Sequence, residues 1–143
     1  MRDVSQYFDL LEKTLDSNLA DSAEVEFDRR DHAHGVIEGV LYFADGSRLE
    51  FTERILVEKS RPVKRGYRYQ YIRRGAAVFR YDNAAHHPHI STFPHHKHVG
   101  NKMLPAIEPT LKQVLDEVNE LLQKGADQPS SRPQKRRQRK PQS

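Results

Sequence analysis

Val4, Tyr7, Phe8, Leu11 and Leu15 recur at helical spacing behind Asp3, a good N-cap, and predict an amphipathic helix over 4–16. The pattern then changes to period two. Glu24-Val25-Glu26-Phe27 alternates, and an apolar run over 35–43 ends at Asp45-Gly46, which predicts a two-residue hairpin turn. The return strand is Arg48 to Glu58. A second hairpin pairs 67–72 with 77–81 through Arg73-Arg74-Gly75-Ala76. Period two puts Tyr67, Tyr69 and Tyr71 on one face of its first strand and Arg68, Gln70 and Ile72 on the other. Over 82–109 no period survives, and Pro88, Pro94, Pro105 and Pro109 punctuate the segment. Loops of that length inside a domain are usually functional or disordered. Thr110 and Gln113 then form a capping box ahead of a stripe of Leu111, Val114, Leu115, Val118, Leu121 and Leu122, with Gly125 as the expected end of the helix.

These elements predict an α+β domain: an antiparallel sheet of about five strands, an N-terminal and a C-terminal helix packed on one face, and a long histidine-rich loop before the last helix. The domain is expected to occupy 1–124. Residues 125–143 have almost no apolar content and are expected to form a disordered basic tail.

Charge sharpens this division. The chain carries +4 overall, but 125–143 hold six basic residues against Asp127 alone, a net of +5, which leaves −1 for the other 124 residues. The basic character therefore belongs to the tail, where it would hold an acidic partner or nucleic acid by charge alone. There are no cysteines, which excludes disulfides and thiol nucleophiles. No run approaches the roughly 20 apolar residues of a membrane span, and the first residues lack a signal-peptide core, so a cytoplasmic location without membrane contact is expected.

The chemistry concentrates in one place. Six of the eight histidines lie within His86-His87-Pro88-His89-Ile90-Ser91-Thr92-Phe93-Pro94-His95-His96-Lys97-His98, just after Phe79-Arg80-Tyr81-Asp82-Asn83. Imidazole exchanges protons and binds metals near neutral pH. Arg80 and Asp82 stand two apart on a strand and share a face, so the guanidinium can hold a phosphate while the carboxylate orients a histidine. The same spacing also suits a plain ion pair at a strand end.

Three readings of the histidines stay open. A neutral and a protonated imidazole can cleave RNA without metal. His86, His87, His89 and His95 to His98, with Asp82, can also ligate zinc or nickel. Finally, a polar loop can simply be solvated. Lys97 among the ligands disfavours a metal and favours an anionic substrate, so no metal and no cofactor is expected. Tyr67, Tyr69, Tyr71, Tyr81 and Phe79 can stack on unpaired bases or fill a core, and Arg65, Arg68, Arg73 and Arg74 form a basic band beside them. Glu50, Glu53 and Glu58 are expected as exposed strand carboxylates.

The segments Leu41-Tyr42-Phe43-Ala44-Asp45-Gly46-Ser47, Tyr67-Arg68-Tyr69-Gln70-Tyr71, Phe79 through Pro88 and Thr92 through His98 resemble the TumE family of prokaryotic toxins over roughly 4–122. Ala85 stands where many relatives have proline, and His89 looks individual to this chain. The resemblance implies the toxin of a type II toxin–antitoxin system, whose partner is a DNA-binding antitoxin protein. Small toxins of this kind are frequently ribonucleases. The matching positions are Tyr69, Tyr71, Arg80, Asp82, Asn83, His86, His87, Pro88, His95, His96, Lys97 and His98.

The combined expectation is a ribonuclease with His86, His87, His95, His96, His98 and Asp82 as catalytic candidates. Arg80, Lys97, Asn83, Tyr69, Tyr71 and Arg68 are the candidates for binding an RNA substrate. The alternatives are a non-catalytic protein- or nucleic-acid-binding module and a metal-dependent hydrolase. Association as a homodimer stays open.

Overall fold

The computed structural model describes residues 1–17, 20–85 and 88–127. Along them run helix α1 (Val4–Asp16), strands β1 (Ser22–Arg29), β2 (His34–Tyr42), β3 (Arg48–Glu58), β4 (Arg61–Arg73), β5 (Ala76–Asp82), β6 (His96–Val99) and β7 (Lys102–Pro105), and helix α2 (Leu111–Asp127). Each strand pairs antiparallel with its predecessor, so the described strands form one seven-stranded meander in chain order. The architecture is α+β, as the sequence predicts. Seven strands replace the expected five or so, because the aperiodic 82–109 segment contains the β6–β7 hairpin. Strands of four residues are too short to display a period. Their prolines sit where a missing N–H is tolerated, Pro94 before β6 and Pro105 at the end of the edge strand. No helix among the described residues is long and apolar enough to cross a membrane.

Local chemistry sets the helix starts. Asp3 accepts the Ser5 N–H at 2.9 Å while the Gln6 side chain accepts from the Arg2 and Asp3 amides, completing a capping box on α1. Thr110 and Gln113 cap α2 reciprocally at 3.1 and 2.9 Å. This second helix passes Gly125 and runs to Asp127, two residues beyond its expected end. The expected disordered tail otherwise lies outside the described residues.

Turns fix the registers. The loop after β2 is longer than the two residues expected. Phe43 N–H donates to Ser47 O at 2.9 Å, and Gly46 takes a φ of 86°, closing a three-residue type I turn with a glycine in the left-handed region. Arg74-Gly75 makes a primed two-residue turn, with φ of 54° and 75°. Lys59-Ser60 makes another between β3 and β4 at 51° and 63°, without a glycine. Holding two such residues in the left-handed region costs free energy that Asn-Gly avoids. The double variant Lys59→Asn/Ser60→Gly is therefore expected to raise unfolding stability by about 1 kcal/mol; a denaturation midpoint at or below that of the wild type would refute the turn assignment.

The sheet has one covered and one open face. On the covered face Ile37, Leu41, Leu49, Phe51, Tyr69, Tyr71 and Phe79 pack with Val4, Phe8 and Leu11 of α1 and with Leu111, Val114 and Val118 of α2. Tyr69 and Tyr71, expected against substrate, are fully buried here. Their hydroxyls bond Glu53 and Ser47, and their rings pack near Phe51 and Phe79. No helix among the described residues lies over the other face. Two cross-strand rows traverse it: Glu38, Thr52, Arg68, Asp82 and His96, and beside them Val40, Glu50, Gln70, Arg80 and His98.

Candidate functional site

The second row and the end of the first create the site. Arg80 and Asp82 are two apart on β5, and His96 and His98 two apart on β6, so each pair projects from one face of its strand. Antiparallel pairing sets Arg80 opposite His98 and Asp82 opposite His96, which brings the four side chains together on the open face. His96 Nδ1 lies 2.9 Å from Pro94 O, an acceptor, so Nδ1 carries a proton. Its Nε2 points at Asp82 Oδ1, 2.8 Å away. Asp82 Oδ1 also accepts the Ala84 N–H at 3.0 Å, while Oδ2 accepts Arg80 Nε at 2.9 Å.

Arg80 then reaches His98. Its Nη2 stands 2.8 Å from His98 Nε2, and since a guanidinium only donates, that Nε2 presents its lone pair. The two imidazoles meet edge to face, with centroids 4.9 Å apart. Burial divides their roles. Asp82 and His96 side chains are 8% and 2% exposed, whereas His98 is 26% and Arg80 35% exposed. The outer pair can meet a ligand, and the inner pair holds it in place. Arg68, next to Asp82 across β4, and Gln70, next to Arg80, extend this polar surface and bond each other. Among the described residues, Asp82, His96 and His98 bring ligand atoms within 4.8 Å of one another and are the group able to hold a metal.

Several sequence candidates fall elsewhere. Lys97 lies between the two histidines in sequence, and period two therefore sends it to the covered face. There it pairs with Glu117 at 2.6 Å and sits over the Phe79 and Tyr81 rings. Burial works to lower its pKa, but the hydrogen bonds to Glu117 and Tyr81 outweigh this and keep the ammonium above its ordinary value. With Tyr81, which also donates to Glu117, it fastens β5 and β6 to α2. His95 stacks on Tyr67, and its Nδ1 lies 2.9 Å from that hydroxyl, away from the open-face cluster. Asn83 accepts the Tyr67 N–H and donates to Arg65 O, extending the β4–β5 pairing past the strand end. His86 and His87 lie outside the described residues, and His89 is exposed.

A second polar centre lies in the core. Glu53, expected on the surface, is fully buried and accepts hydrogen bonds from the hydroxyls of Tyr7 and Tyr69. Lys64 Nζ approaches its carboxylate at 3.7 Å and donates to Tyr69 Oη at 2.6 Å and Pro109 O at 2.7 Å. Period two alone places Glu53 between Phe51 and Ile55 on the buried face, a signal present in the sequence. Lys64 joins through a bulge. The register skips Arg65, which turns both Lys64 and Tyr67 toward the helices.

Burial and the charge of Glu53 raise the pKa values of Tyr7 and Tyr69, while burial lowers that of Lys64. The signs determine the alkaline behaviour. Above pH ~10 an unfolded tyrosine loses its proton while these two keep theirs, so the unfolded chain binds fewer protons and stability falls as pH rises. Lys64 acts oppositely, because the folded chain releases its proton first. Tyr7→Phe removes one phenol from this balance, and its stability should fall less steeply above pH ~10, by about 1.4 kcal/mol per pH unit. Urea midpoints of both proteins at pH 9, 10 and 11 measure this; parallel curves would contradict it.

The geometry defines a class: a small α+β protein with two helices backing an antiparallel sheet and an arginine, an aspartate and two histidines assembled on the open face. Residues 8–122 match the model of the family described as toxin TumE, and the chain belongs to that toxin family. No curated protein and no solved structure matches the chain.

Proposed function

We propose that the protein acts as a toxin by cleaving RNA with histidine acid–base chemistry. The observation that carries this reading is the Arg80 bridge, in which a guanidinium holds Nε2 of the half-buried His98. An RNA phosphate arriving on the open face draws the guanidinium to itself, because a bidentate arginine–phosphate contact is stronger than one to a neutral imidazole. Arg68 supplies a second cation one strand away.

The vacated Nε2 of His98 then accepts the proton of a 2′-hydroxyl. The 2′-oxygen attacks phosphorus, the P–O5′ bond breaks, and a 2′,3′-cyclic phosphate forms. The departing 5′-oxygen takes a proton from solvent. Asp82 and His96 do not touch the RNA and keep Arg80 and His98 in place.

Family membership supports an antitoxin protein, with DNA-binding ability of its own, as the partner. Val99, Leu104 and Ile107, exposed in and near the β6–β7 hairpin, offer apolar surface for it. Induced expression of wild type and His98→Ala, with growth and total RNA followed together, tests the proposal. Arrest with fragmented RNA in the wild type alone is expected. Equal arrest in both would remove His98 from the mechanism, and arrest with intact RNA would point to another target.

A further inference from the structure

We infer that Asp82, His96 and His98 also form a binding site for one transition-metal ion of the zinc class, entered when Arg80 swings away. The donor set is two imidazoles and a carboxylate, which suits zinc, cobalt or nickel better than the hard cations magnesium and calcium. It is also oriented as ligands are. Metal-bound histidines usually donate their other ring N–H to a carbonyl or carboxylate, and His96 does so to Pro94 O at 2.9 Å. That bond aims Nε2 at Asp82 Oδ1, 2.8 Å distant, and the other carboxylate oxygen lies 3.7 Å from His98 Nε2. Ligand atoms around a tetrahedral zinc with bonds of about 2.1 Å stand roughly 3.4 Å apart, and one ligand atom from each of the three residues already lies within 4.8 Å of the others. The buried Asp82 and His96 fix one side, and the half-buried His98 needs only a small adjustment to close the third bond.

Arg80 is the obstacle and also the reason the site is switchable. Its guanidinium contacts the same two groups a metal would take, Asp82 Oδ2 at 2.9 Å and His98 Nε2 at 2.8 Å. It supplies positive charge to the cluster when no metal is bound. One third of its side chain is exposed, and it can turn into solvent along the open face. Metal and guanidinium therefore compete for one carboxylate and one lone pair. A ligating imidazole must offer its lone pair, so a metal at Nε2 of His96 takes the place of the direct contact with Asp82 Oδ1. The consequence for cleavage rests on the nuclease reading: a metal on His98 occupies the nitrogen that would accept the 2′-hydroxyl proton, and the metal-loaded toxin is silent. The binding itself stands without that reading.

The experiment uses the full chain, stripped with a chelator and titrated with Co²⁺ in the absence of RNA, the visible absorption reporting ligation and calorimetry with Zn²⁺ reporting affinity and stoichiometry. Because no RNA is present, failure here is separate from failure of the nuclease reading. One high-affinity equivalent is expected in the wild type. Asp82→Asn and His98→Ala should each lose it, two variants guarding against a folding defect in one, with circular dichroism checking both. Arg80→Gln should bind at least tenfold more tightly. Undiminished binding in well-folded Asp82→Asn and His98→Ala would assign the metal to other histidines and overturn the site. Unchanged affinity in Arg80→Gln would overturn the competition. Mg²⁺ should leave the Co²⁺ spectrum unaltered at millimolar concentration; displacement by it would overturn the assignment to the zinc class.

Discussion

His98→Ala is expected to lower the rate of RNA cleavage by the purified protein about 10²–10⁴-fold, the range that a positioned general acid or base contributes. The fold should survive, because His98 lies partly exposed on β6, a short strand, and alanine keeps the backbone pairing with β5. His96→Ala should fall comparably for a different reason. Its side chain is 2% exposed and braces Asp82 from the inner side while bonding Pro94 O, so its loss removes one anchor of the carboxylate and lets Arg80 and His98 drift from the productive arrangement. The two mechanisms separate experimentally. Under the base assignment added imidazole should partly restore His98→Ala, since it brings back a proton acceptor in an accessible position. It should not restore His96→Ala, where a positional constraint is missing. Cleavage by His98→Ala within threefold of wild type would end the base assignment.

The largest stability effect is expected at Glu53. Glu53→Ala should lower unfolding free energy by about 3–5 kcal/mol, the usual consequence of removing one partner of a buried charge pair. The carboxylate accepts from two phenols and faces an ammonium whose side chain is 7% exposed. Without it Lys64 keeps Tyr69 Oη and Pro109 O as acceptors but loses its buried counter-charge, with the exposed Glu108 still acting on it from farther away. Glu53→Gln keeps the volume and one acceptor oxygen, and its loss should be smaller. In melting temperature the alanine variant should fall on the order of 10–20 °C. A shift under about 3 °C would mean that the network is inert.

That network also explains the arrangement of the layers. Tyr7 belongs to α1, Glu53 to β3, Lys64 and Tyr69 to β4, and Pro109 lies just before α2. One buried carboxylate therefore ties both helices to the sheet. Lys64 further lies 5.4 Å from the Tyr67 ring centre, and Tyr67 bonds His95 at the entrance to β6. On the covered face, this chain of contacts reaches the start of the strand that carries the site on the other face.

Much of this protein is determined locally and is readable in the chain. Asp3 with Gln6, and Thr110 with Gln113, place the helix starts through hydrogen bonds spanning three residues. Arg80 and Asp82 share a face because side chains alternate along a strand, and the density of histidines marks the chemical segment. What the chain alone leaves undecided is non-local. His96-Lys97-His98 carries no period long enough to announce a strand. Only pairing with β5 creates that strand, places Arg80 opposite His98, and sends Lys97 to Glu117 on the far side. The tyrosines alternate correctly in sequence, yet whether their face meets nucleotide or helix depends on where α1 and α2 pack. The burial of Lys64 depends on a one-residue slip in the β3–β4 ladder. Alternation, capping and turns are short-range and leave their mark on neighbouring residues. Register, sheet face and burial depend on contacts between segments dozens of residues apart, and only the tertiary structure decides them.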